Sequence, residues 1–349
     1  MTQKDQDIFY MQRALELARL GGINVAPNPM VGAVVVSNNK IIGEGYHRNY
    51  GGPHAEVDAI EMVPVSEDLS EATIYVTLEP CAHFGKTPPC ADLIVKHKLK
   101  RVVIACMDPY SEVAGKGIEK IRNAGISVDV GVLEKEAREL NKRFFTFHNE
   151  NRPYVILKWA QTEDGFMDRL PEDRKPGINW ITGEETKKYV HEWRSREQAI
   201  MVGWKTVAND DPQLNVRLCD GPSPHRFIID PHCKTPLTSK VIQDGNTSTI
   251  FVEKNLFPAL PENVVVHELT KFTVQDILVA LHGKSILSVF IEGGAETLSN
   301  FIQQGLWDEA RVLMGSVNFE RGIKAPELRV DPISRETLKN DTLLHFLNQ

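Results

Sequence analysis

The chain has 349 residues, a formal net charge of −7 and 42% hydrophobic residues. That length exceeds what one hydrophobic core usually organises, so it predicts two domains. The acidic balance excludes a general nucleic-acid or anionic-membrane surface and leaves small molecules as the expected partners, with no nucleic acid and no membrane.

In chain order, Met11, Ala14, Leu15 and Ala18 repeat at helical spacing, and Gly21 with Gly22 stops that helix. Residues 31–36 and 40–46 flank Ser37, Asn38 and Asn39 as a hairpin. A helix from His54, a strand over 73–78, a helix from Cys90 and a strand over 101–106 follow. Helices over 117–123 and 134–147 complete a sheet covered by βα units. The polar, proline-ended stretch 149–153 marks the boundary, giving domains 1–148 and 152–349. The second half is expected to hold strands over 154–160, 198–203, 226–230, 249–253, 264–266 and 286–291. Its helices are expected over 184–194, 274–281 and 296–303. Between the last strand and helix, Gly293 and Gly294 make either a phosphate-binding turn or simply a tight one.

The sharpest chemical signal is His54-Ala55-Glu56, then Pro80-Cys81, then Pro89-Cys90 with eight residues between the cysteines. One imidazole and two thiolates around a tetrahedral zinc leave its fourth position to water, and a carboxylate that is not a ligand can carry protons. This His-x-Glu and Pro-Cys pattern reads as hydrolytic deamination with His54, Cys81 and Cys90 as ligands of one zinc ion and Glu56 as proton carrier. A structural zinc site with His83 as fourth ligand is the alternative, but it gives Glu56 no role. Helix amino termini at His54 and Cys90 favour thiolate over thiol. Of the five cysteines, Cys106, Cys219 and Cys233 show no disulfide spacing, which fits a reducing compartment. Without an apolar run of membrane-spanning length, and with a first segment unlike a signal peptide, the expected location is the cytoplasm.

Nearly the whole chain resembles the bifunctional riboflavin-biosynthesis enzymes that join a pyrimidine deaminase to an NADPH-dependent reductase. In the first half the resemblance rests on Pro27-Asn28-Pro29, Val31-Gly32, Gly43-Glu44-Gly45-Tyr46-His47, Pro53-His54-Ala55-Glu56, and Thr77-Leu78-Glu79-Pro80-Cys81 through Thr87-Pro88-Pro89-Cys90. In the second half it rests on Asp164-Gly165, Trp180-Ile181-Thr182-Gly183, His191 with Arg194, Val202-Gly203, Thr206-Val207, Asp210-Asp211-Pro212, Leu214 with Arg217, Ile229-Asp230, and Glu292-Gly293-Gly294.

The resemblance implies an α/β chain with a cytidine-deaminase-like fold in front and a dihydrofolate-reductase-like fold behind. It implies deamination of 2,5-diamino-6-ribosylamino-4(3H)-pyrimidinone 5′-phosphate, then reduction of the ribosyl group to ribityl with NADPH. By the same resemblance Asn28, His83, Lys86 and Thr87 contact the first substrate. Arg194, Leu214, Arg217 and Glu292 contact the second. The cofactor would meet Ala160, Trp180, Thr206, Asp210 and the turn of Gly294, Ala295, Glu296, Thr297, Leu298, Ser299 and Asn300. Arg194 and Arg217 suit bidentate recognition of a phosphate. His47 and His97 read as surface or core histidines, and Trp159 and Trp204 as packing residues.

The chain departs from the family where the usual Ser-Leu-Asp-Gly-Arg appears as Thr162-Glu163-Asp164-Gly165-Phe166, next to the charged insertion 171–176. Two other functions stand beside the two-step enzyme: a deaminase of a different substrate, such as a nucleoside or an RNA base, whose carboxyl-terminal half tunes specificity, and a deaminase whose carboxyl-terminal half is a catalytically weak binding or dimerisation module. The resemblance leaves room for a homo-oligomer.

Overall fold

The computed structural model describes residues 2–82, 88–110, 114–174 and 179–348. The chain divides into two compact units, Met1–Asn151 and Arg152–Gln349.

In the first unit, Thr2 and Asp5 close a reciprocal capping box that starts α1 (Gln3–Arg19). Five strands, β1 (Gly32–Ser37), β2 (Lys40–Tyr46), β3 (Thr73–Val76), β4 (Arg101–Ile104) and β5 (Ser127–Val130), form a sheet of order β2-β1-β3-β4-β5. β1 pairs antiparallel with β2 and β3, whereas β3, β4 and β5 run parallel. α1 packs on β1, β2 and β3, and the remaining helices are α2 (Ala55–Glu61), which packs on β1 and β2, α3 (Cys90–Lys96), α4 (Lys116–Asn123), α5 (Glu134–Leu140) and α6 (Lys142–Glu150). Every residue of β1 is buried, which explains its continuous rather than alternating apolar sequence. Ile74, Ile94, Ile104 and Ile121 are fully buried between sheet and helices, each contributing about 1.5–3 kcal/mol.

Three details differ from the sequence reading. Ser37 belongs to β1, and the hairpin turns on Asn38 and Asn39, both at positive φ (48° and 58°), the left-handed geometry that asparagine tolerates. The helix expected over 134–147 is two helices broken at Asn141, whose carboxamide donates to Met30 O and accepts from Met30 N, each at 2.8 Å. Serving an extended segment in this way takes the side chain off the helical path. β5 escaped prediction because its residues lie mostly in solvent at a sheet edge and carry no burial pattern.

The second unit is built on β6 (Tyr154–Gln161), β7 (Phe166–Asp168), β8 (Ala199–Gly203), β9 (His225–Ile229), β10 (Ser248–Val252), β11 (Val264–Glu268), β12 (Ser288–Ile291), β13 (Glu309–Met314), β14 (Ile323–Lys324), β15 (Ser334–Leu338) and β16 (Asp341–Leu347). Nine of these form one sheet, ordered β11-β10-β9-β8-β12-β6-β13-β16-β15, and β7 pairs with β14 apart from it. Pairing is parallel from β11 to β13 and antiparallel from β13 to β15. The helices are α7 (Glu184–Arg194), α8 (Trp204–Asp210), α9 (Lys240–Gln243), α10 (Val274–His282) and α11 (Ala295–Gln303). Phe251, Phe290 and Phe301 anchor the core. The order places β12, late in the chain, between β6 and β8, so the carboxyl ends of three strands far apart in sequence converge. That is where ligands bind in open α/β sheets.

Candidate active sites

In the first unit, β3 runs into the segment that carries Cys81, while His54 caps α2 and Cys90 opens α3. Two close approaches fix this geometry. A Cβ at Gly45 of β2 would lie 2.4 Å from Ala59 N and 2.5 Å from Ala55 O, so α2 can sit directly on the strand only over glycine. A Cβ at Gly117 would lie 1.9 Å from Pro80 O. Glu79, buried beside it, accepts N–H bonds from Gly115 and Gly117, each at 3.0 Å, and from Ile118 at 3.3 Å. The start of α4 thus holds the chain two residues before Cys81, a supporting role that the sequence reading did not assign to Glu79.

Nδ1 of His54 lies 3.6 Å from Cys81 Sγ and 3.3 Å from Cys90 Sγ, and the donor atoms of the three residues all fall within 4.8 Å of one another. Tetrahedral zinc with ordinary Zn–S and Zn–N lengths separates its ligands by roughly 3.6–3.8 Å, so the donor set fits the ion in number, type and spacing. Cys90 N–H donates to Cys81 Sγ at 3.3 Å, which ties the two sulfurs together through the start of α3. The hydrogen bond from Cys90, with His54 beside it, lowers the Cys81 thiol to about 4. Sharing that proton and being buried, Cys90 is pushed well up. The Cys81 sulfur raises His54 to about 8. Burial pushes Glu56, in the first turn of α2, up to about 7, the range useful to a group that must both take and give a proton.

Asn28 donates through Nδ2 to His47 Nε2 at 3.1 Å, while His47 Nδ1 meets Pro53 O at 2.8 Å. His47 is buried and its ring stands 5.7 Å from that of His54, so it belongs to the site's wall. The predicted contacts His83, Lys86 and Thr87 lie outside the described residues.

The second unit holds a cavity of about 250 Å³ at the carboxyl ends of β6, β8 and β12. Ala160, Trp180, Thr206, Asp210, Arg194, Leu214, Arg217 and Glu292, predicted from opposite ends of the domain, all line it. Glu292 is its electrostatic centre. Arg194 donates to it from Nε at 2.6 Å and from Nη2 at 2.9 Å, and Lys158 Nζ stands 3.5 Å away. Buried among these cations, the carboxyl is held down at about 2. Arg194 is therefore committed to Glu292 rather than free to fork a phosphate. Arg217 has no carboxylate partner among the described residues and bonds Asn215 Oδ1 at 2.9 Å.

Lys158 was missed by the sequence reading, although a lysine inside the apolar run Tyr-Val-Ile-Leu-Lys-Trp-Ala-Gln was a usable signal. Burial lowers its pKa. Of the predicted cofactor turn, Gly294 caps α11 and donates to Thr206 Oγ1 at 3.1 Å. Beyond it, Ala295 and Thr297 are half-buried, Glu296 pairs with Lys205 at 2.7 Å, Leu298 is in the core, Ser299 lines a different cavity, and Asn300 is exposed. Glycines that open onto the amino terminus of α11, beside the cavity, suit the anionic backbone of a dinucleotide.

The altered segment after β6 forms a hydrogen-bonded turn. The Asp164 carboxylate accepts N–H bonds from Glu320 at 2.7 Å and Phe319 at 3.1 Å, and Gly165 turns at φ +85°. Arg174, from the charged insertion, pairs with Asp168 and stands 3.6 Å from Asp210.

Residues 4–106 match the cytidine and deoxycytidylate deaminase zinc-binding region, and residues 153–319 match the RibD C-terminal domain. The riboflavin biosynthesis protein RibD of Aquifex aeolicus is 43% identical over 341 residues, covering 96% of this chain and 94% of its own length. The chain belongs to the RibD family. The Escherichia coli RibD is 35% identical over 87% of this chain and 86% of its own length. Among solved structures, Acinetobacter baumannii RibD superposes with a TM-score of 0.89 at 36% identity, over 99% of this chain and 100% of that one. A Thermotoga maritima diaminohydroxyphosphoribosylaminopyrimidine deaminase/5-amino-6-(5-phosphoribosylamino)uracil reductase superposes with the same TM-score at 38% identity, over 99% of each chain. These RibD matches carry the two expected folds, a cytidine-deaminase-like unit followed by the RibD reductase-type unit.

Proposed function

We propose that the chain is a two-step enzyme of riboflavin biosynthesis, a zinc-dependent hydrolase joined to an NADPH-dependent oxidoreductase. Its first unit deaminates 2,5-diamino-6-ribosylamino-4(3H)-pyrimidinone 5′-phosphate, and its second reduces the ribosyl group of the product to ribityl. The observation that carries the reading is the convergence of His54, Cys81 and Cys90, whose donor atoms lie within 4.8 Å of one another, with the buried Glu56 beside them.

Zinc held by His54, Cys81 and Cys90 would supply an activated water as nucleophile. Glu56 would carry one proton released by the nucleophile to the ring nitrogen and a second to the amino group that leaves as ammonia. One carboxylate can do both because burial keeps its proton affinity near neutrality. Asn28, oriented by His47, offers the edge of its amide to the pyrimidine.

In the second unit bound NADPH supplies the hydride, and the protein's work is to position two reactants. Glu292, fixed by Arg194 and Lys158, accepts from sugar hydroxyls, and Arg217 supplies an unpaired cation for the phosphate. Thr206, Asp210 and the start of α11 hold the cofactor. No described helix is long and apolar enough to cross a membrane. The reading places the enzyme in the cytoplasm, acting on a phosphorylated pyrimidine and compatible with a homo-oligomer.

The test is to incubate the zinc-loaded chain with the diaminopyrimidinone substrate, with and without NADPH, and to resolve products by mass. The expected result is exchange of an amino group for oxygen in both cases and a further gain of two hydrogens only with NADPH. Deamination without any reduction would leave the carboxyl-terminal half as a binding module, and no deamination by zinc-loaded protein would overturn the reading.

A further inference from the structure

His191 has no part in the mechanism above, yet it sits inside the reductase cavity. It lies one turn before Arg194 on α7, is 3% exposed, and lines the cavity wall. Its Nδ1 accepts the backbone N–H of Arg217 at 3.2 Å. A ring nitrogen that accepts carries no proton, so the neutral ring must hold its proton on Nε2. Nε2 has no hydrogen-bond partner among the described residues. Because the ring lines the cavity, the acceptor available to this donor is whatever fills it.

Its surroundings say what that is. Burial, then the guanidinium groups of Arg194 and Arg217, hold the imidazole at about 4, with Lys158 adding to this and Glu292 opposing it. The ring is therefore a neutral donor at ordinary pH, adding no further positive charge to the wall. Arg194 is taken by Glu292, whereas Arg217 is lowered by burial and by Arg194 and has no carboxylate of its own. One unpaired cation beside one neutral N–H matches an anionic oxygen group.

We propose that His191 is a substrate-binding residue of the reductase unit, whose Nε2–H donates to the phosphate of a sugar phosphate that Arg217 pairs with, while its Nδ1 holds the Arg217 backbone in place. The choice of ligand rests on the functional reading above; the tautomer and the direction of the donor do not.

Two variants separate the two ring nitrogens. In His191→Asn the amide oxygen replaces the Nδ1 acceptor and nothing replaces Nε2–H. In His191→Gln the amide nitrogen reaches the Nε2 position and the bond to Arg217 is lost. A hydrogen bond to a charged group predicts that His191→Asn raises KM for the deaminated substrate about tenfold or more, with kcat and NADPH affinity little changed, while His191→Gln recovers most of the loss. A wild-type KM in His191→Asn would reduce His191 to an anchor for Arg217, and equal behaviour of the two variants would mean that neither ring nitrogen is singled out by the substrate; either result overturns the proposal.

A site-resolved measurement keeps this separate from the activity itself. In full-length chain with 15N-labelled histidine, the His191 proton is expected on Nε2 and its resonance to shift on titration with ribose 5-phosphate. A proton on Nδ1, or a resonance that ribose 5-phosphate does not move, refutes it. If the wild type fails to reduce substrate but this resonance still shifts, the functional reading falls and the binding role stands.

Discussion

Replacing Glu292 by glutamine tests the electrostatic centre of the reductase cavity. The substitution preserves shape but removes the charge that Arg194 meets at 2.6 and 2.9 Å and Lys158 at 3.5 Å, leaving two largely enclosed cations facing a neutral amide. Two independent routes give its size. A carboxyl held at about 2 rather than its ordinary 4.5 corresponds to about 3 kcal/mol of stability near pH 7, at roughly 1.36 kcal/mol per pH unit. Breaking a buried ion pair by removing one partner costs about 3–5 kcal/mol.

For a unit of this size that loss lowers the melting temperature by roughly 6–12 °C. The sign with pH follows from the depressed folded value. The contribution of Glu292 is complete above the unfolded value near 4.5 and is lost as pH falls toward 2. Thermal unfolding of wild type and Glu292→Gln, with the reductase unit followed at pH 7, 5 and 3, should show a gap that is full at 7 and shrinks on acidification. Reduction should fall while deamination persists. A gap below about 1 kcal/mol at pH 7, or one unchanged at pH 3, would refute the assignment of Glu292 as a carboxylate buried among cations.

Glu56→Gln should leave bound zinc at one per chain, since Glu56 is not among the clustered donors, and should cut deamination by about 10²–10⁴-fold without affecting reduction; zinc analysis with both assays checks it. Gly117→Ala puts a methyl carbon 1.9 Å from Pro80 O, and the displacement of the Cys81 segment should destabilise the first unit by about 1–3 kcal/mol and weaken zinc retention against a chelator.

How much of this was legible in the sequence depends on how local the determining physics was. The clustering of His54, Cys81 and Cys90 could be read because zinc chemistry dictates residue type and because each of the three sits at the start of a helix or after a strand, features that leave local marks. β5 and β15 left weaker marks, since both are largely exposed and lack a buried face.

The reductase cavity is harder for a deeper reason. Its walls come from β6, α7, α8, the turn at Leu214 and the end of β12, and only the insertion of β12 between β6 and β8 brings Lys158, Arg194 and Glu292 together. Residue type alone suggested that both arginines bind phosphate. Topology divides their work, giving Arg194 to Glu292 and leaving Arg217 beside His191, and a partition of like residues by a non-local sheet order has no counterpart in sequence spacing. Lys158 makes the same point from the other side. A buried lysine in a strand is tolerated only where an acid from elsewhere in the chain meets it, so its presence announced a partner that the sequence could not name.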